Sequence, residues 1–180
     1  MTLGLRKNEV RLVDHAHWWH DEFNRIKKQL IDSTSMEERF IEHIGSTAIN
    51  DMLAKPIIDI LVAVDDLKNV DDHTINRLKD IGFLRLKVHK PEEIVFAKFR
   101  DDLLEEKTHF IHMVEFQKEV WNNLLFFRDY LNNNEHARKK YETIKLEYVR
   151  KSSTGIKEYT NHKEKFVLDI CNKRQSFEDN

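Results

Sequence analysis

The sequence predicts an α/β (α+β) fold, in which helices flank a mixed β-sheet and a helical region follows at the C-terminus. Three observations support this fold class. The run Ile57–Val64 is apolar except for Asp59, as in a strand that is buried on both faces. Further strand-like segments follow it, and after Glu115 the apolar residues change to helical spacing.

The first predicted helix carries an apolar stripe at offsets of three and four residues. Asp14 is its expected N-cap, and the helix should end near Asp32. The helical spacing indicates packing in the core more strongly than stacking on a ligand. The stripe consists of Trp19, Phe23, Ile26 and Leu30.

Strand and helix patterns alternate from residue 39 to residue 116. Residues 39–44 are predicted to form a strand that enters a turn at Gly45. A short helix at 47–53 should stop before Pro56, because proline disfavours helical geometry at the preceding residue. A helix at 70–81, capped by Gly82, then leads to strands at 83–88, 94–100 and 108–116, of which the last two fit an antiparallel hairpin.

Helical periodicity dominates the last third of the chain. Three helices are expected, through Val120–Leu131, through Tyr141–Tyr148 and through Ile156–Cys171. No linker separates this part from the sheet. We therefore expect one domain over residues 1–180, with a core at about 9–117 and a helical region at about 118–173.

Composition restricts the class of protein. The 180 residues include 34% charged side chains and have a net charge of -2, which provides no global attraction to nucleic acid or to anionic membranes. The single cysteine, Cys171, excludes an intramolecular disulfide and a cysteine-based zinc cluster. The N-terminal segment has no apolar core of a signal peptide, and the apolar runs are shorter than the ~18 residues of a spanning helix. We expect a soluble, cytoplasmic protein, and the oligomeric state stays open.

The pair Gly45-Ser46 and the carboxylate of Asp59 form the main candidate site. A buried carboxylate needs a cation or several donors to compensate its lost hydration. Backbone N–H groups at the Gly45 turn, with the hydroxyls of Ser46 and Thr47, could receive the phosphates of a nucleotide or of a phosphorylated small molecule. The alternatives are an ordinary Gly-Ser turn and a structural acid.

A magnesium ion would explain both features. Mg²⁺ prefers one or two carboxylates together with phosphate oxygens and water. Asp59 alone would be a poor site, so a second acid should approach it, and Glu115 on a later strand is the candidate. These two acids are the expected catalytic residues and metal ligands.

Basic residues and histidines could complete the site. Lys55, Lys98 and Arg100 are candidate phosphate ligands, and His112 is a candidate donor to phosphate or base. His109 and His112 should point to opposite faces of their strand. A zinc site built from His43, His112 and Asp59 is an alternative.

Several separated blocks of the sequence resemble the GrpB family, which is placed in the nucleotidyltransferase superfamily. The blocks are HIGSTAINDMLAKPIIDILVAV, THFIHMVE, FRDYLNNNEHARKKYETIKLEY and YTNHKEKFVLDI, and the resemblance covers about residues 9 to 171. It implies a nucleotidyltransferase-like core with a helical C-terminal part. It also marks Arg128 and Lys163 as positions that could reach the cleft, although Arg128 could instead hold the helices against the sheet.

The resemblance implies transfer of a nucleotidyl group from a Mg-bound NTP to an unknown acceptor. In the superfamily a Gly-Ser turn precedes two acids that are separated by one apolar residue, with a third acid on a later strand. Gly45, Ser46 and Asp59 match this pattern, but Leu61 stands where the second acid would be. Because a leucine cannot bind a metal, a catalytically degenerate protein that binds a nucleotide or phosphorylated ligand is the alternative.

Overall fold

A computed structural model describes residues 2–88 and 90–178, and within them six strands and five helices. The strands are β1 (Leu5–Arg6), β2 (Ile41–Ile44), β3 (Ile58–Val64), β4 (Phe83–Arg85), β5 (Ile94–Phe99) and β6 (Glu106–Glu115). The helices are α1 (Trp18–Thr34), α2 (Asp72–Asp80), α3 (Glu119–Asn133), α4 (Glu135–Val149) and α5 (Ile156–Glu178). None of these helices is both long enough and apolar enough to span a bilayer.

All six strands join one mixed sheet, which confirms the predicted fold class. The strand order is β2-β3-β6-β5-β4, and β1 pairs with the first residues of β6. β3 and β6 run parallel, whereas the other pairs are antiparallel, including the predicted β5–β6 hairpin. The apolar strand β3 therefore lies between two neighbours inside the sheet.

The two faces of the sheet pack against different helices. Helices α1 and α2 cover one face through a core that includes Ile58, Ile60 and Val62 of β3. On the opposite face, Leu61 and Ala63 pack against Trp121 of α3. Because side chains alternate along a strand, Asp59 belongs to the Leu61 face.

A separate apolar cluster joins helices α3, α4 and α5 to the segment between β2 and β3. Ile49 and Met52 of that segment are fully buried against Leu131, Tyr141 and Phe166. The helical region is thus attached next to the Gly45 turn. This placement brings side chains of α4 and α5 to the candidate site.

Some predicted boundaries were wrong for identifiable reasons. Helix α1 begins at Trp18 with no side-chain cap, so Asp14 is not its N-cap. The helix predicted at 47–53 is only a 3-10 turn at Ser46–Ala48. Backbone N–H groups of Asn50 and Leu53 donate instead to the side chains of α3 and α4, at 3.0 and 2.6 Å.

The lengths of other elements also differ from the prediction. The strand predicted at 83–88 ends at Arg85, helix α5 continues to Glu178, and the two-residue strand β1 was not predicted. Two residues are too few to show an alternating pattern in the sequence.

Candidate functional site

Gly45 places the turn after β2 against the carboxylate of Asp59. Ile44 and Asp59 are paired in the β2–β3 register, so the turn begins directly beside the acid. Gly45 has φ 72° and ψ -173°, a conformation that suits glycine alone. A Cβ atom at this position would collide with the Asp59 carboxylate. The glycine is therefore required for the close approach of turn and acid.

The residues after Gly45 do not form the helix N-terminus that we expected to attract phosphate. The 3-10 turn has three residues, and Thr47 is buried, with its hydroxyl donating to the Ile57 carbonyl at 3.3 Å. Its hydroxyl also lies 3.0 Å from Nε2 of His43. Thr47 thus stabilises the turn, while the hydroxyl of Ser46 contacts Lys145, one of the lysines described below.

Asp59 is partnered by a histidine and not by a second acid. Nε2 of His112 lies 3.4 Å from Oδ1 of Asp59, and Nδ1 of the same ring contacts Oε1 of Glu93. The side chains of Asp59, His112 and Glu93 are 30%, 22% and 10% exposed. Of these three side chains, that of Asp59 is consequently the most open to a ligand.

The two carboxylates of this row hold the imidazole of His112 in its charged form. Burial acts to lower the pKa of His112, but hydrogen bonds and charges from Asp59 and Glu93 raise it to about 9. Burial likewise opposes ionisation of Asp59, and the hydrogen bond and charge of His112 nevertheless hold the pKa of Asp59 below its usual value. The row therefore consists of an imidazolium between two carboxylates at neutral pH.

Three lysines converge on the same place from different elements. Nζ of Lys145 on α4 donates to Oγ of Ser46 at 3.3 Å and also to the carbonyl of Leu53. Lys163 on α5 and Lys55, which precedes β3, place their ammonium groups 4.9 and 5.4 Å from the centre of the Tyr159 ring. We call these three residues the lysine cluster.

Aromatic rings, and not carboxylates, hold the lysine cluster. Lys145 and Lys163 lie 4.8 and 5.9 Å from the centre of the Tyr141 ring. Within the described parts of the chain, none of the three lysines forms an ion pair within 4.0 Å. A ring face stabilises an ammonium group without neutralising its charge, so positive charge stays available at the site.

The pKa values of these lysines reflect burial and mutual repulsion. Burial, followed by the charge of Lys163, lowers the pKa of Lys145 to about 7. The same two causes lower the pKa of Lys55 to about 8, partly offset by Asp59. Burial also lowers the pKa of Lys163. The cluster is thus costly to protonate unless an anion joins it.

The structure does not bring Glu115 to Asp59. In the parallel β3–β6 register Asp59 lies opposite Phe110, whereas Glu115 lies opposite Val64 at the far end of β3. The odd offset also places Glu115 on the other face of the sheet. Its Oε1 accepts a hydrogen bond from the Leu67 backbone at 3.3 Å. The expected pairing of the two acids is therefore not formed.

Lys98 and Arg100 likewise lie away from the site. Lys98 pairs with His109 in the β5–β6 register, which places it on the face opposite Asp59, and it donates to the Ile81 carbonyl at 3.0 Å. Arg100 forms an ion pair with Glu106 at 2.8 Å. Of the basic residues proposed from the sequence as phosphate ligands, Lys55 is the one that approaches Asp59.

The histidines do not form the alternative zinc site. His43 is buried against α1, where its ring stacks on Phe23 at 4.7 Å, and burial lowers its pKa to about 3. His109 contacts Glu22 at 3.0 Å on that same face, opposite His112 as predicted. Among the described residues, no group of three or more His, Cys, Asp or Glu side chains is arranged to hold a metal ion.

Leu61 and Arg128 have structural surroundings. Leu61 is fully buried in an apolar cluster with Ile44 and Trp121, so the place of the second superfamily acid is closed to water. Arg128 donates to Glu42 at 2.7 Å and to the His43 carbonyl at 2.9 Å. It therefore holds α3 against β2, which was the alternative interpretation of this residue.

Reasoning from the sequence missed Glu93 and Lys145. Lys145 follows Tyr141 by four residues, so it lies on the same buried stripe of its helix. A charged residue on an apolar stripe is a sequence signal for a site residue. Glu93 directly precedes β5, and only the strand register brings it to His112. No local pattern marks it.

Comparison with known proteins agrees with this architecture. A crystal structure of the conserved protein GrpB from Enterococcus faecalis has a TM-score of 0.77 and 24% identity, covering 91% of this chain and 96% of that chain. A structure of the Cid1 poly(U) polymerase with Mg 3'-dATP bound has a TM-score of 0.51 and 13% identity, covering 73% of this chain and 42% of that one. The fold is thus nucleotidyltransferase-like.

Sequence relatives identify the family. The glutamate-rich protein GrpB of Alkalihalophilus pseudofirmus is 42% identical over 171 residues, which are 94% of this chain and 98% of that protein. The family model described as GrpB protein matches residues 9–173. The chain belongs to the GrpB family.

Proposed function

We propose that this protein binds a nucleotide or another small phosphorylated molecule between the Gly45-Ser46 turn and helices α4 and α5. The observation that carries this proposal is the lysine cluster, in which Lys145 contacts Ser46 and the charges of Lys55 and Lys163 interact with Asp59. Among the described residues, none of these lysines has an ion-paired carboxylate within 4.0 Å. Groups of like charge are held together here by the fold. Such an arrangement at a partly open site is typical of ligand binding.

A phosphorylated ligand fits the charges better than a carboxylate or a neutral ligand. Two or three phosphate groups could contact Lys55, Lys145 and Lys163 at once. Their negative charge would offset the burial that lowers the pKa values of all three lysines, and the repulsion by Lys163 that further lowers those of Lys55 and Lys145. Oγ of Ser46 supplies an uncharged partner beside Lys145. The open side of Asp59 would face a sugar hydroxyl or water.

Transfer chemistry is the second candidate function. Its support is the fold shared with Cid1, together with the 30% exposure of the Asp59 side chain, which could bind Mg²⁺ through the ligand. Against it stand buried Leu61 and the placement of Glu115, because two-metal phosphoryl transfer needs several converging carboxylates. Ligand binding without transfer is therefore the primary proposal.

Isothermal titration calorimetry tests the binding proposal directly. The wild-type protein is titrated with ATP, GTP, CTP, UTP and inorganic tripolyphosphate, and at least one of them should bind. Lys163→Met should weaken that binding by at least about tenfold, since a hydrogen bond to a charged group contributes about 1.5–3 kcal/mol. Lys165→Met, an exposed lysine on the same helix, is the matched control and should bind normally.

Absence of binding to all five compounds, in a protein shown to be folded by circular dichroism, would contradict the proposal. Turnover separates the two candidate functions. Pyrophosphate release from any NTP that disappears in Asp59→Asn, with binding retained, would favour nucleotidyl transfer over binding alone.

A further inference from the structure

The carboxylate of Asp59 has a built-in cationic partner. His112 lies on the neighbouring parallel strand, two residues beyond the register partner of Asp59, so both side chains are on one face of the sheet. Its Nε2 is 3.4 Å from Oδ1 of Asp59. The nearest side of the acid is thus occupied by a nitrogen of the protein itself.

The second carboxylate fixes the chemical state of this ring. Nδ1 of His112 contacts Glu93, whose other carboxylate oxygen accepts from Lys90 at 2.6 Å. A neutral imidazole has one donor and one acceptor nitrogen, and an acceptor nitrogen would face a carboxylate oxygen unfavourably. A ring between two carboxylates is satisfied only when both nitrogens carry protons.

The residues around Asp59 do not fit a divalent metal ion of the kind used in nucleotidyl transfer. Both nitrogens of His112 are engaged, Leu61 closes the position of the second acid, and Glu115 lies on the other face. One carboxylate remains, and it is already paired with a cation. Mg²⁺ binds through one or two carboxylates together with phosphate oxygens and water, and the acid that is open to it here already has a cationic partner in His112.

We propose that the imidazolium of His112 replaces the divalent cation at Asp59, so that the protein binds its phosphorylated ligand without a metal. The lysine cluster then supplies the charges that face the phosphates, while the His112 charge holds Asp59 neutralised and oriented. The part of this inference that concerns the ligand rests on the proposed function. The part that concerns Asp59 and His112 does not.

The role of His112 at Asp59 can be tested without any ligand. The free protein is titrated with Mn²⁺, and binding is measured as the loss of the free-ion signal in electron paramagnetic resonance. Wild type should bind no stoichiometric Mn²⁺. His112→Asp, which exchanges the cation for an oxygen ligand beside Asp59, should gain such binding. His136→Asp, at an exposed position on α4, is the control and should gain none. Stoichiometric Mn²⁺ binding by wild type that is lost in Asp59→Asn would overturn the proposal.

The state of the ring gives a readout that needs no functional variant. In ¹⁵N-detected histidine spectra at neutral pH, the His112 ring should show both nitrogens protonated, with His112→Gln used only to assign the signal. A neutral tautomer at that pH would overturn the proposal even if the variants failed to fold.

Metal-independent binding of the ligand is tested by calorimetry with ATP and with inorganic tripolyphosphate, in EDTA and then in MgCl₂. The Kd measured in EDTA should be no more than about threefold above the Kd measured in MgCl₂. A threefold difference in Kd corresponds to less than 1 kcal/mol. Binding that appears only with Mg²⁺ would overturn the inference and leave the proposed function standing. Absence of binding in both buffers would instead contradict the proposed function, and the Mn²⁺ and ring measurements would still decide the role of His112.

Discussion

The ammonium group of Lys145 lies 3.3 Å from the hydroxyl oxygen of Ser46, across the boundary between helix α4 and the turn that follows β2. Lys145 is 1% exposed and also donates to the carbonyl of Leu53. The hydroxyl and the carbonyl accept hydrogen bonds from the ammonium group but do not offset its charge, and burial lowers the pKa of Lys145 to about 7. This contact makes Lys145 the most informative residue to change.

Replacing Lys145 with methionine should weaken phosphate-ligand binding while keeping the protein folded. Methionine fills a similar volume and removes the charge, so the loss of affinity should be at least about tenfold. The measurement is calorimetry with tripolyphosphate. Lys139→Met, on the same helix but exposed and ion-paired with Glu135 at 2.6 Å, should behave as wild type. Equal affinity of the two variants would contradict the role of Lys145.

The free energy of unfolding should depend on pH through Lys145. Burial lowers its pKa from 10.5 to about 7, so between these values the unfolded chain binds more protons than the folded chain. Stability from this residue therefore rises with pH across that window, by at most about 1.4 kcal/mol per pH unit. His112 acts with the opposite sign, because its pKa is raised from 6.5 to about 9 and its contribution is lost as pH rises through 9.

Urea denaturation of wild type and Lys145→Met from pH 7 to pH 10 isolates the lysine contribution, because His112 is common to both proteins. The stability of wild type relative to the variant should increase with pH over this range. Parallel curves would show that Lys145 titrates normally in the folded protein.

Gly45→Ala should destabilise the protein and remove the candidate site together. The new Cβ atom would collide with the carboxylate of Asp59, and alanine would be strained at φ 72°. Backbone strain of this kind costs about 1–3 kcal/mol before the carboxylate moves. Gly82→Ala is the control, since Gly82 has φ +91° but a Cβ there would meet only the flexible Lys98 side chain, whose nearest atom, Cε, is at 3.4 Å. Thermal unfolding should show the larger loss for Gly45→Ala, and ligand binding should be lost in that variant alone.

Restoring an acid at the superfamily position should not restore a metal site. Leu61→Asp would place a carboxylate in a fully buried apolar cluster, at a cost of several kcal/mol. We expect an unfolded or strongly destabilised protein by circular dichroism. Leu168→Asp, at a position that is 54% exposed, should have little effect. A stable Leu61→Asp protein that binds Mn²⁺ would contradict this expectation.

Arg128→Gln should loosen helix α3 from the sheet. The guanidinium links Glu42 and the His43 carbonyl of β2, and such charged hydrogen bonds contribute about 1.5–3 kcal/mol when their partners lose water. The urea midpoint should fall accordingly. Arg39→Gln provides the comparison, because its partner Glu37 and its own side chain are 62% and 68% exposed and the pair is screened by water.

The parts of the fold that depend on local pattern were predictable. The apolar run of β3 was placed to within one residue, and the stripe of α1 was correct through Leu30. The helix at 47–53 failed because its backbone donors find partners on α3 and α4. Contacts between distant segments decide such cases, and periodicity does not contain them.

The candidate site was predictable only in part for the same reason. The prediction that three residues lie near Asp59 was correct, because they precede it by at most fourteen residues along the chain. These residues are Gly45, Ser46 and Lys55. The partner of Asp59 depends on the parallel register of β3 and β6. A shift of a few residues in that register would have brought Glu115 to the acid instead of His112, and the sequence does not show the register.

Ser46 and Asp59 belong to the sheet side of the chain, whereas Lys145 and Lys163 belong to helices α4 and α5. A ligand that contacts both sides would couple the docking of these helices to its own concentration, and at 100 times its Kd would add about 2.7 kcal/mol to stability. Amide hydrogen exchange along α5 would then slow as the ligand accumulates. Any partner protein that recognises the docked or the undocked helices would in this way respond to the level of a small phosphorylated molecule.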